Sequence, residues 1–314
     1  DFYEAEVIII LGQNPGTNHP RMLTALQKAK RNGAKIISVN PLPEAGLTGF
    51  SNPQQVKGIV GVKTALTDLF LPVKINGDMA LLQCINHYLL KAEAENPGTV
   101  LHQDFITNNT NEFDAYKEHI EQVPVEHYLE LAGISREQLM EAVGILKNKN
   151  KIIACWAMGL TQHKNAGDTT KETVNLLLMK GSIGKPGAGT CPVRGHSNVQ
   201  GDRTMGIYEK PPQSFLDSIQ NVFGFEPPRH DGYYVVDSII AMHKGSAKVF
   251  FAMGGNFLSA TPDTQFTAEA LRRCKLTVQV STKLNRSHLV HGEEALILPC
   301  LGRTDKDMLN DELQ

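Results

Sequence analysis

The chain has 314 residues, 41% of them hydrophobic and 20% charged, with a formal net charge of -2. That balance suits a folded chain of about two ordinary domains, excludes a disordered one, and leaves no basic footprint for nucleic acid or an anionic bilayer. Apolar runs such as Val7–Leu11 fall far short of the roughly 20 residues that a membrane-spanning helix needs.

Val7–Leu11 is a β-branched run closed by Gly12, and Gln13-Asn14-Pro15-Gly16 turns into a periodic segment that begins at Pro20. Leu23, Leu26 and Ala29 share one face of that predicted helix, and Gly33 stops it before a second strand, Lys35–Val39. A third strand is predicted at Leu69–Val73, after which Asn76-Gly77-Asp78 turns into a helix carrying Met79, Leu82, Ile85 and Leu89. Asn108–Asp114 reads as loop and Val125–Leu131 as helix, and Ser135 with Gln138 forms a capping box for a helix that ends at Leu146. The polar run Lys147-Asn148-Lys149-Asn150 suggests a boundary, giving a first cofactor-binding lobe at 1–147 and a second at 148–314. There the pattern restarts with strand Ile152–Ala157, loop Thr161–Gly167 and a helix opened by a second capping box, Thr169 with Glu172. Lys248–Ala252, Leu276–Val280 and Ala295–Leu298 are further candidates for buried strands. The alternation predicts an α/β fold of two Rossmann-like lobes with mainly parallel sheets flanked by helices.

The densest chemical signal is 181–201, GSIGKPGAGTCPVRGHSNVQG, with six glycines in 21 residues. Inside a helix or strand each glycine costs about 0.5 to 1 kcal/mol relative to alanine, so this stretch is predicted as loop. Its glycines let main-chain N–H groups approach a ligand, Arg194 offers a planar fork of donors, and Asn198 and Gln200 add neutral partners. Gly12–Gly16 lies at the carboxyl end of the first strand, where open α/β sheets bind ligands, although it is not GxGxxG. Asn40 stands where dinucleotide folds often place an acidic ribose ligand. Met158–His163 and Gly254-Gly255-Asn256 are two more strand-end loops. Turn chemistry alone explains each loop taken singly, whereas four of them suggest one extended ligand.

Cys84, Cys155, Cys191, Cys274 and Cys300 never form CxxC, and the eleven histidines show no HxxxH or HExxH spacing. No protein-ligated metal site is therefore expected, and the scattered thiols suit a reducing, cytoplasmic setting. His163 and His196 fall in ligand loops, where a hydrogen-bonded structural histidine is the commoner case. Cys191 reads as a small packing residue before it reads as a nucleophile. The start at Asp1 instead of Met, with a core strand already at Val7, leads to the expectation of a piece excised from a longer protein.

WAMGLTQH at Trp156–His163, the helix to Met179, and GSIGKPGAG with PVRGHSNVQGDRTMG at Gly181–Gly206 resemble the middle of bacterial molybdopterin oxidoreductases. The likeness is nearest to the formate dehydrogenase-like alpha subunits of the dimethyl sulfoxide reductase superfamily. VIIILGQNPGTNHPRML and KRNGAKIISVNP are similar to that family's first strand and its continuation, so the resemblance spans almost the whole chain. It implies a bis-molybdopterin guanine dinucleotide carrying molybdenum or tungsten, gripped by two related lobes. Gly12, Asn14, Asn40, Gly77 and Asp78, with Pro15 beside them, match the lobe that holds one guanosine diphosphate arm. Met158, Gly159, Gln162, His163, Arg194, Gly195, His196, Asn198, Gly201, Gly254 and Asn256 match the other. Arg194 and His196 are the candidate catalytic residues, because the family's equivalent of Arg194 lies near the metal.

The resemblance also implies a 4Fe-4S cluster in an upstream region, a metal-ligating cysteine, selenocysteine or serine outside this chain, and a β-rich domain after Gln314. The expectation is a central fragment, inactive alone, of an oxidoreductase that passes electrons between a small substrate and an electron-transfer partner. Asn40-Pro41-Leu42 departs from a common Asp-Pro-Arg, and His196 from a common glutamine. Two alternatives stay open: a non-catalytic cofactor-binding or scaffold subunit of a redox complex, and a nicotinamide dehydrogenase, against which the missing GxGxxG speaks.

Overall fold

Five strands, Val7–Leu11 (β1), Lys35–Val39 (β2), Leu69–Leu71 (β3), Ile152–Trp156 (β4) and Gly189–Pro192 (β5), form one sheet in the order β3-β2-β1-β4-β5. Every neighbouring pair is parallel. This is the doubly wound arrangement, with the reversal of strand order between β1 and β4. The computed structural model describes residues 1–195, 199–302, 305–309 and 311–313.

Side chains alternate across a strand, and β1 feeds two cores. Val7, Ile9 and Leu11 pack with the helices Asp78–Glu95, Val125–Ala132, Arg136–Leu146 and Ala166–Met179. Ile8 and Ile10 pack with Leu23, Leu26 and Ala29 of the helix Pro20–Arg31. A strand buried on both faces has no polar position to offer, which is why β1 is written VIIIL.

The chain divides into unit 1, Asp1–Ser197, and unit 2, Asn198–Gln314, and not at the expected 147/148. The polar run before β4 is a turn, not a linker. Glu6 accepts hydrogen bonds from the Asn150 and Lys151 N–H groups and pairs with Lys149, and β4 then joins β1 directly. Within the glycine-rich stretch, Gly189–Pro192 is a strand and not loop. It is a half-exposed edge strand closed by Pro192, and an edge tolerates both a proline and glycine-poor packing. β3 stops at Leu71 because Pro72 has no N–H for the ladder. The loop expected at Asn108–Asp114 is mostly taken by the helices Gln103–Asn109 and Phe113–Glu121.

One capping box formed as read: the Ser135 side chain accepts from the Gln138 N–H while Gln138 reaches back to the Ser135 backbone. The other did not. The helix begins at Ala166, one turn early, Thr169 bonds back to the Asn165 carbonyl, and buried Glu172 accepts from Tyr116 and Asn86. Unit 2 has a parallel sheet of Val249–Met253 (β6), Leu276–Ser281 (β7) and Glu294–Pro299 (β8), in the order β6-β7-β8, over a small core that includes Ile239, Met242, Leu258 and Leu271. Burial was expected of β6 and β8, yet β8 is exposed throughout and β6 at alternate residues, because both are edges of a three-stranded sheet.

Candidate cofactor-binding site

Where strand order reverses, the loops beyond β1 and β4 meet at two glycines. The Gly159 N–H donates to the Gly12 carbonyl at 3.1 Å. A Cβ on Gly12 would lie 2.7 Å from the Gly159 carbonyl carbon, one on Gly159 would lie 2.5 Å from the Gly12 oxygen, and Gly12 has a φ of 54°. Only glycine fits either place. A second close approach joins the loops after β1 and β2, where a Cβ on Gly46 would fall 2.8 Å from the Gly16 Cα. The carboxyl edge of the sheet is thereby drawn into one surface, at the position where doubly wound sheets bind ligands.

Among the described residues six buried side-chain N or O atoms lack a partner, and four of them lie in these loops: Gln13 Oε1, His19 Nδ1, His163 Nδ1 and Asn165 Oδ1. Folded proteins satisfy more than nine in ten such groups, with protein or ordered water, so the concentration leaves a set of polar positions open to a ligand or to water. Three of these side chains are held by their other end. Gln13 and Asn165 turn their amide nitrogens to the sulfurs of Met22 and Met79, and His19 Nε2 lies 2.7 Å from the Arg194 carbonyl. A carbonyl only accepts, so Nε2 carries the proton in this contact, and Nδ1 is left open.

Gly77 packs on the backbone of Ala132 and presents Asp78 in the first turn of its helix. Asp78 is 5% exposed, and burial pushes its carboxyl up to about 6, while its own N–H and the charge of His163 pull it down. The helix N-terminus favours the anion. Asn14 accepts from the Thr17 N–H at 3.1 Å and donates to Glu44 at 2.5 Å, and Asn40 donates to the second Glu44 oxygen at 2.9 Å. Pro15 is buried at the start of the turn Pro15–Asn18.

Beyond β4, Met158 opens the short helix Met158–Thr161, with Gln162 exposed at its end. Arg194 and Gly195 are exposed beyond β5, and a Cβ on Gly195 would touch the Met158 sulfur at 3.7 Å, so these two loops adjoin. His196 and Asn198 lie outside the described residues. Gly201 lies in the helix Val199–Thr204 of unit 2. Gly254 and Asn256 line a separate cleft of about 370 Å³ in unit 2, with Ser281, Thr282, Lys283 and Asn285. Gly254 and Gly255 have φ of 68° and 74° and open space around them, and Asn256 is held by the Ser287 hydroxyl. A concavity of about 350 Å³ beside buried Lys180 sits at the opposite end of β4, next to Asn148–Asn150, and takes no part in either cluster.

Residues 1–288 match the family model described as Molybdopterin oxidoreductase. The chain belongs to the molybdopterin oxidoreductase family. It is 55% identical over 314 residues to an "uncharacterized oxidoreductase" of Mycobacterium tuberculosis, covering 100% of this chain and 40% of that protein. It is 27% identical over 325 residues to the F420-dependent formate dehydrogenase 1 subunit alpha of Methanococcus maripaludis, covering 98% of this chain and 42% of the relative. The solved acetylene hydratase of Pelobacter acetylenicus matches with a TM-score of 0.58 at 17% identity, over 90% of this chain and 39% of that one, which shows a shared fold. The chain thus spans about 40% of the length of the curated relatives that match it over its whole length.

The residues present fit a molybdopterin cofactor. Arg194 offers a cationic fork of donors to a phosphate, and the unpartnered amide oxygens of Gln13 and Asn165 offer acceptors to the N–H and O–H groups of such a ligand. Among the described residues no group of three or more His, Cys, Asp or Glu side chains is placed to hold a metal, and no helix is long and apolar enough to cross a membrane. Gln13, His19, Glu44 and Asn165 were not singled out from sequence, nor were Ser281, Thr282 and Lys283. The last three had a signal, since they directly follow a predicted strand.

Three substitutions test this geometry in the full-length protein. Gly33→Ala meets nothing within 4 Å and carries only its positive-φ penalty, about 1–2 kcal/mol, whereas Gly12→Ala adds a backbone overlap and is expected to lower the melting temperature further. Asp78 ionises at about 6 in the folded chain against an ordinary 3.8, so its charge costs stability that is absent below the lower value and fully present above the higher. Asp78→Asn is therefore expected to stabilise the cofactor-free protein at pH 7 by about 1–3 kcal/mol and to make little difference at pH 4, as read by denaturant unfolding. Equal stability of the two proteins at pH 7 would contradict the desolvation argument.

Proposed function

We propose that this chain is the central cofactor-binding part of a formate dehydrogenase-like molybdopterin oxidoreductase that holds a bis-molybdopterin guanine dinucleotide with molybdenum or tungsten. The observation that carries the reading is the glycine clasp at the reversal of strand order, ringed by unpartnered buried polar atoms, in a chain of this family. When bound, the cofactor supplies the redox-active metal. The protein supplies binding, orientation and local charge.

On unit 1, Gly12, Asn14, Pro15, Asn40, Gly77 and Asp78 take a guanosine diphosphate arm, with Met158, Gly159, Gln162, His163 and Gly195 continuing along the same sheet edge. Asp78, ionised above pH about 6, accepts the paired N–H donors of a guanine edge. His19 Nδ1 accepts one further donor. Gly254 and Asn256, with Ser281, Thr282 and Lys283, form the strand-end site of unit 2 for a second arm. Arg194, whose backbone is tied to His19, presents its guanidinium fork to a small anionic substrate. His196, Asn198 and Gly201 stay in the proposed set on the family's pattern. The metal-ligating residue, a 4Fe-4S cluster and the docking surface for an electron-transfer partner are assigned to the rest of the parent protein. Five free cysteines support a reducing, cytoplasmic setting.

The full-length protein, purified without oxygen, is expected to carry molybdenum or tungsten by mass spectrometry and to release about two GMP per metal on acid hydrolysis. Neither metal nor GMP, from a host shown to make the cofactor, would overturn the reading. Metal and GMP without turnover of any electron donor would give a scaffold subunit in place of an enzyme.

A further inference from the structure

We propose that Glu44 reads the ribose of the nucleotide held on unit 1, accepting hydrogen bonds from its vicinal hydroxyls. This rests on the nucleotide reading above and names the residue that sets ribose specificity. In doubly wound dinucleotide sites that task falls to an acidic residue at the end of the second strand. Here Asn40 stands at that place, with a neutral amide whose nitrogen is already committed to the Leu42 carbonyl and to Glu44. The negative charge sits four residues further on.

Three observations put the Glu44 carboxylate in Asn40's expected role. Glu44 precedes the helical turn Ala45–Thr48, yet its side chain makes no cap to that turn. It reaches back over the sheet edge, Oε2 accepting from the Asn14 amide at 2.5 Å and Oε1 from the Asn40 amide at 2.9 Å. The close approach of Gly16 and Gly46 seats this turn beside the loop that follows β1, so the position of Glu44 is set by backbone contact and not by a flexible side chain alone. No Lys, Arg or His forms an ion pair with Glu44 among the described residues.

A half-buried carboxylate held by two neutral amides has about half of its roughly four acceptor positions still open. A vicinal diol offers two O–H donors at the spacing of two carboxylate oxygens. A phosphate at the same spot would meet like charge, so the diphosphate is directed away from Glu44 and the sugar toward it. The competing role is a purely structural one, in which Glu44 does no more than tie the loops after β1 and β2 together.

Cofactor-free full-length protein is titrated by calorimetry with GDP and with 2′-deoxy-GDP. A hydrogen bond to a charged acceptor is lost with the hydroxyl, so at one site 2′-deoxy-GDP is expected to bind about ten- to a hundredfold more weakly than GDP. Glu44→Gln is expected to weaken GDP by a similar factor and to abolish the difference between the two ligands. If the wild type binds both equally, or if Glu44→Gln weakens both in proportion, Glu44 is structural and the inference fails while the nucleotide reading stands. If GDP does not bind at all, the nucleotide reading fails and takes the inference with it. The wild-type comparison needs no variant, so it decides the matter even if Glu44→Gln misfolds.

Discussion

The Gly159 amide bonded to the Gly12 carbonyl is the constraint on which the site depends. Two strands that run side by side in a parallel sheet end in loops whose connections leave in opposite directions when strand order reverses, and a crevice opens between them. Here the crevice is pinched at its base by backbone meeting backbone, with no room for a Cβ on either side. The clasp fixes where Gln13 and Asn14 emerge from β1 and where His163 and Asn165 emerge from β4. The Gly16–Gly46 contact does the same for the loop after β2 and delivers Glu44.

Around this clasp the chain forgoes stability. Ionised Asp78 is buried against the tendency of its carboxyl to hold a proton, and four buried polar atoms go without partners. Elsewhere in unit 1 the rule is the opposite: Glu93 accepts from the Gly98, Val100 and Leu101 N–H groups, and Glu6 from Asn150 and Lys151. This contrast between satisfied carboxylates in one place and unsatisfied strand-end loops in another supports the proposed ligand site at the second place. On the proposed function, metal chemistry belongs to the cofactor, and the chain's share is to hold it with the strand-end loops and a few aimed side chains.

The central strands were legible because burial on both faces allows little but β-branched and aliphatic residues, and VIIIL and KIISV are written that way. Capping boxes were only half legible. Ser135 and Gln138 bond each other within one helical turn, whereas Glu172 was drawn into the core by Tyr116 and Asn86, more than 50 residues away in sequence. Glycine density misled in the opposite sense, hiding the edge strand at Gly189–Pro192. The family and the strand-end loops could be read from local motifs. Glu44 and His19 could not, since the contacts that give them meaning, to Asn14 and to the Arg194 carbonyl, exist only in the folded sheet. The lobe boundary was misplaced for a related reason: a polar turn looks like a linker until its partner, Glu6, is seen across the sheet edge.

Hydrogen–deuterium exchange of the full-length protein, with and without its cofactor, tests the central claim most directly. Cofactor binding is expected to slow exchange at the backbone amides of residues 12–17 and 158–163, the two loops joined at Gly12 and Gly159, relative to the edge of the sheet near Asn148–Asn150. Unchanged exchange in both loops, with protection confined to other parts of the protein, would contradict the assignment of the clasp as the cofactor cradle.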